Sequence, residues 1–345
     1  MATLTNTVFF SKKALFIVGS IIALVIILLV LSRLIGSVKN IFFPPSGVPA
    51  TVAFDKIGAV NLAEGIKPLD NMHYTVETIS GELPALSAFA KVFKIAEPVP
   101  TFGNLQDASQ RATGAGFNTQ PKELSSGIVK FVDPKDNTRQ LTIETASQSI
   151  ALTSQYLNNP EIFTAKLKSQ EDPKRVAINF FESLKLPIKN FPTDKIFLEN
   201  YKIESGTVDK AISLADTNLV KVIFVRDNID SLPIINPDFD NPLVFALATD
   251  KKVVSANYTV NNIQKFKFST YPLKGTSAAF EDLKNGKGAL NKMPKSNAFP
   301  IRNIILGYLE TKKYQPYLLP VYIFVSDDGF LAYVGAVSDA WTIGN

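Results

Sequence analysis

The chain of 345 residues contains no cysteine and a single histidine. The absence of cysteine excludes disulfide bonds, thiolate metal sites, iron–sulfur clusters and cysteine nucleophiles. With His73 alone, multi-histidine metal sites are excluded as well, and any serine–histidine triad would depend on that one residue. His73 stands at the start of a predicted strand, HYTVET, and we interpret it as structural. The sequence therefore predicts no cofactor and no metal site.

Basic clusters and catalytic motifs are also lacking. The formal net charge of +5 is spread along the chain, without a lysine and arginine block interleaved with aromatic residues, so we expect no nucleic-acid partner. No hydrolase nucleophile motif is present, and the Gly-Lys-Gly at 286–288 lacks the spacing of a phosphate-binding loop. Asp238, Asp240 and Asn241 match only the opening of a calcium-binding loop, which favours a turn.

One long apolar segment is present near the start of the chain. Eighteen uncharged residues run from Ala14 to Leu31, and a bilayer-spanning helix needs about 17–25 residues. A secretory signal has a shorter apolar core of about 7–15 residues, with its cleavage site close behind. We therefore predict a transmembrane helix at 14–36 that anchors the chain in the bilayer, after a short cytoplasmic tail at 1–13 and before a Pro/Gly-rich stalk at 37–50. Basic residues flank both ends equally, so charge alone does not decide the topology.

The rest of the chain repeats one predicted pattern, in which a helix is followed by three antiparallel strands. The helix signals are Asn104 as an N-cap, Asp172 before Pro173 at the first helical position, and Thr276 or Ser277 as the third N-cap. A helix followed by an antiparallel meander is typical of α+β folds. We predict an α+β protein with about three such modules. The predicted boundaries are 51–158 for a strand-rich segment with the first module, 159–272 for the second module and 273–345 for the third.

The hydrophobic alternation predicts how each sheet is covered. In LTIET, Leu141 and Ile143 face one way and Thr142 and Glu144 the other, so the first sheet is predicted to have one wet face. In YLLPVYIFV and FLAYVGAV, both alternating sets are apolar, so the last sheet is predicted to be covered on both faces. Its own helix can cover one of them. The other face must therefore meet another module or a partner protein.

The C-terminal segment RNIILGYLETKKYQPYLLPVYIFVSDDGFLAYVGAV, preceded by the helix SAAFEDLKNGKG, resembles the closing module of YycI-type and YycH-type regulators and of PepSY-like domains. The resemblance implies one N-terminal anchor, extracytoplasmic modules and action through contact with a membrane sensor kinase, without a catalytic residue to transfer. The segments HYTVETISGELP and AKVFKIAEPVPTF also resemble uncharacterised membrane-anchored proteins of candidate-phyla-radiation bacteria. We therefore expect a single-pass bacterial membrane protein whose bulk is extracytoplasmic.

Three function classes remain open from the sequence. The favoured one is an extracytoplasmic protein-binding module that contacts another membrane or envelope protein. The alternatives are an envelope enzyme that acts on glycan or peptide through carboxylates such as Glu199 and Glu204, and a structural surface protein. Tyrosine combines apolar area with a polar tip and is enriched at interfaces, although core packing is an alternative role. The candidate contact residues are Tyr308, Tyr314, Tyr317, Tyr322 and Tyr333.

Overall fold

Twenty β-strands and three α-helices form the described part of the chain in this computed structural model, residues 50–101, 103–164, 167–293 and 296–344. The strands are organised mainly in two sheets, one of nine strands and one of seven. The fold is therefore dominated by β-structure. Ala50–Asn345 forms one compact unit.

The larger sheet is antiparallel throughout. Its strands alternate between apolar residues that face a helix-covered core and more polar residues on the other face, as period-2 patterning requires. In spatial order its strands are β4 (Lys122–Ser125), β5 (Ile128–Asp133), β6 (Asp136–Glu144), β7 (Ile150–Thr153), β13 (Val253–Tyr258), β12 (Val244–Ala248), β10 (Leu219–Phe224), β8 (Ile196–Glu204) and β9 (Thr207–Lys210).

Two helices cover one face of this sheet. Helix α1 (Asn104–Gly114) and helix α2 (Glu171–Ser183) contribute Ala112 and Phe181 to the largest core cluster, in which both side chains are buried against the strands. Phe181 makes edge contacts with Phe224 of β10 at 5.6 Å between ring centroids. Among the described residues no α-helix covers the opposite face of the sheet, and the short helical segment at 156–163 covers only part of it, through Phe163.

The smaller sheet carries the C-terminal part of the chain. Its order is β11 (Ile234–Ile235), β17 (Asn303–Leu309), β18 (Tyr317–Val325), β19 (Leu331–Gly335) and β15 (Ala289–Leu290), with β3 (Phe89–Ile95) pairing both β18 and β14 (Ile263–Pro272). Helix α3 (Thr276–Lys284) packs on one face. The remaining strands are paired as β1 (Ile57–Gly58) with β20 (Thr342–Ile343), and β2 (His73–Val76) with β16 (Ala298–Ile301).

The prediction that the last sheet is covered on both faces is confirmed by strand β18, in which the seven residues between Tyr317 and Val325 are buried. Tyr322 and Phe324 belong to the cluster that includes helix α3, and Val321 belongs to a cluster on the other side. That second cluster is covered by Val60 and Leu62 of the same chain. The cover is therefore internal and needs no partner protein.

The predicted α+β fold, with its series of helix-plus-meander modules, is wrong, because the described residues form mainly β-sheet. Strand β7, from the predicted first module, pairs directly with β13 from the predicted second, so these strands share one sheet. Strands β3 and β14 also leave their predicted modules and join the C-terminal sheet. The segment predicted as a transmembrane helix, 14–36, lies outside the described residues. Within the part of the chain that the structure describes, every helix is too short or too polar to cross a membrane.

Candidate functional site

On the face of the nine-stranded sheet opposite α1 and α2, the part that the segment 156–163 leaves open borders two adjoining depressions. A cavity of about 610 Å³ lies at the β8–β10 side, and a cleft of about 740 Å³ lies over β13, β7 and β6. We call them the apolar cavity and the polar cleft. They share the wall formed by Asn236, Asp238, Pro242, Leu243 and Thr259.

A single row of cross-strand neighbours runs across this face. In antiparallel pairs, residues directly opposite each other have side chains on the same face, about 5 Å apart. The row changes from large and apolar at one end to small and polar at the other. From β8 to β6 it consists of Phe197, Ile223, Phe245, Asn257, Ala151 and Thr142.

The walls of the apolar cavity are hydrophobic. Phe197 and Phe239 stand at the cavity with 54% and 49% of their surface exposed, which is unusual for phenylalanine. Strand β11 contributes Ile234 and Ile235 from the other sheet. The volume lies within the range of about 300–1,000 Å³ that is common for ligand sites, and such sites are mostly apolar with a few placed polar groups.

One ion pair lines this cavity and links the two sheets. Arg226 follows β10, and its Nη1 donates to Glu310 Oε1 at 2.6 Å and to the carbonyl oxygen of Asn261 at 2.9 Å. Glu310 follows β17 and is 2% exposed. Its Oε1 also accepts from the backbone N–H of Asn261 at 2.9 Å. Because Asn261 lies where the chain crosses from β13 to β14, this cluster fixes the crossing point.

A buried lysine holds the loop that walls the cavity. Lys221 interrupts the apolar strand LVKVIF, and its Nζ donates to the carbonyl oxygen of Asp240 at 2.7 Å. Its ammonium also lies 5.2 Å from the centroid of the Phe245 ring. Burial lowers the pKa of Lys221. Sequence reasoning missed this residue, although a lone charge inside an apolar strand was the available signal.

Beside Lys221, Glu199 and Tyr201 form a hydrogen-bonded pair on β8. The hydroxyl of Tyr201 donates to Glu199 Oε2 at 2.9 Å, and Glu199 lies opposite Lys221 in the strand register. Burial, with the hydrogen bond to Glu199, raises the pKa of Tyr201 well above its usual value. The tyrosine therefore stays protonated as a donor, and the pair supplies hydrogen-bonding groups without an activated nucleophile.

The Glu199 and Glu204 pair considered from the sequence does not converge. Both residues lie on β8, five positions apart, so their side chains point to opposite faces, with a separation of about 16 Å along the strand. Glu204 forms an ion pair with Lys202 at 2.5 Å instead. These two carboxylates cannot act on the same bond of a glycan.

The Asp238 segment forms a closed turn. Asp238 Oδ1 accepts from the backbone N–H groups of Asp240 and Asn241 at 3.1 and 3.0 Å. Its Oδ2 accepts from the side chain of Asn241 at 3.0 Å. Both oxygens of the Asp238 carboxylate thus accept hydrogen bonds from within the turn. No group of three or more possible metal ligands converges among the described residues.

The predicted contact tyrosines occupy different environments. Tyr308, Tyr322 and Tyr333 are buried in the core, where they pack against other parts of the same chain. Tyr314 and Tyr317 are half-buried on the smaller sheet side. None of the five lines the apolar cavity or the polar cleft. Only Tyr314 and Tyr317 therefore present part of their surface for contact with another protein.

No protein-family model and no curated protein matches the sequence. Among solved structures, the chain is similar to an uncharacterized protein from Eubacterium rectale ATCC 33656, with 12% identity and a TM-score of 0.37 over 80% of this chain and 86% of the other. It is also similar to the C-terminal domain of YpeB from Bacillus megaterium, with 11% identity and a TM-score of 0.31 over 70% of this chain and 95% of that domain.

Both TM-scores are below 0.5, so neither similarity identifies the fold or the function of this chain. The resemblance to YycI-type, YycH-type and PepSY-like proteins therefore stays a prediction.

Proposed function

We propose that this chain is a membrane-anchored, extracytoplasmic protein-binding module, which receives an extended segment of a membrane or envelope protein in the polar cleft and the apolar cavity. The observation that carries the proposal is the row from Phe197 to Thr142, which joins an apolar end to a polar end on the open part of one sheet face. Contact with a partner is also the mode of action that the resemblance to YycI-type regulators implies.

The dimensions of the row suit a short peptide. Six strands span about 24 Å from first to last, because neighbouring strands lie about 4.8 Å apart. An extended polypeptide covers that distance with about seven residues at 3.4 Å each. An apolar side chain of the segment would enter the cavity beside Ile223, and its backbone would lie over the small residues Ala151 and Ser255.

The chemistry of the site favours a polypeptide over the other occupants. An acyl chain needs only apolar walls and would leave the polar cleft empty. Hydrolysis of a glycan by the usual acid–base route would need two converging carboxylates, and the pair on β8 considered for that role does not converge. A polypeptide carries polar backbone groups and apolar side chains together, and recognition of this kind combines hydrogen bonds with side-chain pockets.

Anchoring and orientation are proposed from the sequence. The uncharged run from Ala14 to Leu31 is long enough to span a bilayer, and the resemblance implies that the bulk of the chain lies outside the cytoplasm. The full-length chain should resist carbonate extraction from membranes. Protease added to intact cells should digest Ala50–Asn345, and complete protection would place that unit in the cytoplasm.

Site-specific photocrosslinking of the full-length chain in its own membranes tests the binding site. A benzophenone amino acid at Phe239, beside the cavity, should yield an adduct whose crosslinked peptide is an extended segment with an apolar residue. Ile223→Trp, which fills the cavity from its floor, should abolish that adduct without changing the far-UV circular dichroism or the urea midpoint of unfolding. The matched control is the same probe at Ile212, which is 101% exposed and lies elsewhere, after β9.

Two results would overturn the proposal. Equal crosslinking yields from Phe239 and Ile212, or an adduct unaffected by Ile223→Trp, would show that the cavity is not the binding site. Turnover of peptidoglycan by the purified full-length chain, abolished by a single carboxylate substitution, would place the protein among the envelope enzymes.

A further inference from the structure

A bulge in strand β14 projects three residues away from the smaller sheet. Gln264 is paired with Lys94 and Phe268 is paired with Phe93, so three residues of β14 stand between two consecutive residues of β3. Lys265, Phe266 and Lys267 are therefore left without partners in the ladder. We call residues 265–267 the Lys-Phe-Lys bulge. Its central residue, Phe266, is 99% exposed.

The exposure of Phe266 leaves a large apolar side chain in water, where transfer to an apolar environment would be favourable. The neighbouring Phe268 is packed in part, with its ring 5.8 Å from that of Phe93 and beneath the ammonium of Lys91. Phe266 has no ring partner of this kind among the described residues. The bulge thus presents one free aromatic side chain at its tip.

The charges around the tip are positive. Lys265 and Lys267 are exposed, and neither forms an ion pair within the ranges that the structure describes. The nearby carboxylates are already engaged, since Asp227 binds Lys195 at 2.9 Å and Asp230 binds Lys91 at 2.9 Å. Lys94, also exposed, adds a further positive charge on the adjoining strand.

The bulge also lies close to the point where the chain enters the described unit. The backbone N–H of Thr51 donates to the carbonyl oxygen of Thr270 at 3.1 Å, and the N–H of Ala53 donates to Ser269 Oγ at 2.7 Å. Thr51 thus binds β14 only a few residues beyond the bulge. The predicted stalk, residues 37–50, can span at most about 50 Å when fully extended. Thr51 is therefore tethered within that distance of the predicted anchor.

We propose that the Lys-Phe-Lys bulge is a contact site for an anionic lipid surface. Phe266 enters the interface between headgroups and acyl chains, and Lys265 and Lys267 bind lipid phosphates on either side. A lysine near an anionic surface contributes about 1 kcal/mol. A bilayer accepts a narrow projecting tip because it needs no complementary concave shape, whereas a protein partner would need one. This inference does not depend on peptide binding in the apolar cavity.

Fluorescence depth quenching of the full-length chain in nanodiscs tests the contact. Phe266→Trp is made in a Trp341→Phe background, so that position 266 carries the sole tryptophan. In discs of phosphatidylglycerol and phosphatidylcholine in equal parts, its emission should shift to shorter wavelength, and brominated lipids should quench it. In phosphatidylcholine alone both effects should largely disappear. Replacing either lysine with glutamine should reduce the ratio of docked to free bulge about fivefold.

The matched control is Ile212→Trp in the same background, because that position is equally exposed but lies next to the larger sheet. It should show neither the shift nor the quenching. Equal quenching at both positions would mean that the unit lies against lipid without using the bulge, and no quenching at position 266 would mean that lipid is not its partner. Either result would overturn the inference, and quenching that is insensitive to lipid charge would do the same.

Discussion

Tyr333 is a predicted contact residue that the structure places in the core instead. It was selected with four other tyrosines as a candidate partner contact, because tyrosine carries both an apolar ring and a hydroxyl. In the structure the side chain is fully buried on β19, and its hydroxyl has no hydrogen-bond partner within the described part of the chain. Burial raises the pKa of Tyr333 far above its usual value. The local sequence KKYQP favours a turn position for Tyr314 outside the core, whereas the burial of Tyr333 depends on which segments cover the sheet.

Tyr333→Phe should therefore leave the protein as stable or more stable, by up to about 1–3 kcal/mol, because an unpaired buried hydroxyl carries a desolvation penalty. Urea unfolding of the full-length chain in detergent measures the change. Tyr308→Phe is the matched control, since its hydroxyl donates to the carbonyl oxygen of Lys91 at 3.0 Å and its loss should destabilise. If Tyr333→Phe destabilised as much as Tyr308→Phe, the Tyr333 hydroxyl would have to be hydrogen-bonded in solution.

The helices show what local sequence signals predict and what they do not. All three helices occur at the predicted places, but the predicted caps are wrong. Helix α1 begins at Asn104 after Gly103, which adopts a left-handed conformation, and no side chain caps the helix. At helix α3 the hydroxyl of Thr276 donates to the carbonyl oxygen of Pro84 instead of capping its own helix. Helix position follows from local periodicity, whereas the use of a polar side chain depends on tertiary neighbours.

Strand partners could not be derived from the same signals. The alternation in LTIET correctly separates Leu141 and Ile143, which are buried, from Thr142, which lines the polar cleft. Alternation identifies the face of a residue and says nothing about which strand lies beside it. The pairing of β7 with β13 joins segments that are far apart in the chain. The predicted modules failed at this non-local step.

Helix α3 is held to its surroundings by a charge cluster that should make stability depend on pH. Lys274 Nζ donates to Asp282 Oδ2 at 2.7 Å and to Asp339 Oδ1 at 2.6 Å, and Lys287 lies 3.2 Å from Asp282 Oδ1. Burial alone would raise the pKa of Asp282, but the hydrogen bonds from the two lysines outweigh it and lower that pKa. A carboxyl whose pKa is lowered by folding stabilises the protein above its unfolded pKa, about 3.9. This contribution is lost as the pH falls through the folded pKa.

Asp282→Asn should consequently lower the free energy of unfolding by about 1–3 kcal/mol at neutral pH, because it removes a charged acceptor from a buried lysine. The difference from the wild type should shrink as the pH falls below about 4. Urea unfolding at a series of pH values measures both effects. Glu281→Gln, at an exposed neighbouring position of the same helix, should have little effect at any pH. A penalty for Asp282→Asn that stayed constant into acid would rule out the charge of Asp282 as its origin.

The two sheets meet at the candidate site, and this meeting could not be predicted from the sequence. The loop before β12, residues 236–243, contributes to the shared wall of the apolar cavity and the polar cleft. From the sequence alone it is recognisable only as a polar insertion. Lys221 and Asn257 hold it in place through the carbonyl oxygens of Asp240 and Leu243. Phe197, at the cavity, looks like an ordinary core residue in a strand. Its exposure depends on which segments cover this part of the sheet, and strand alternation alone does not predict that.

The Arg226–Glu310 pair is a largely buried polar connection between the sheets, and Glu310→Ala tests whether they unfold together. The substitution removes the acceptor of the Asn261 N–H and the anionic partner of Arg226, which is 23% exposed and keeps only the carbonyl oxygen of Asn261 as an acceptor. We expect a loss of about 2–4 kcal/mol, somewhat less than for a fully buried pair. We also expect the two sheets to unfold at different urea concentrations. The measurement is a separation between Trp341 fluorescence, which reports the smaller sheet side, and far-UV circular dichroism, which reports all strands.

Glu77→Ala is the matched control, because Glu77 pairs with Arg302 at an exposed position. This substitution should lower the free energy of unfolding by no more than about 1 kcal/mol. Equal small losses for both variants, with coincident transitions, would show that the Arg226–Glu310 pair does not couple the two sheets.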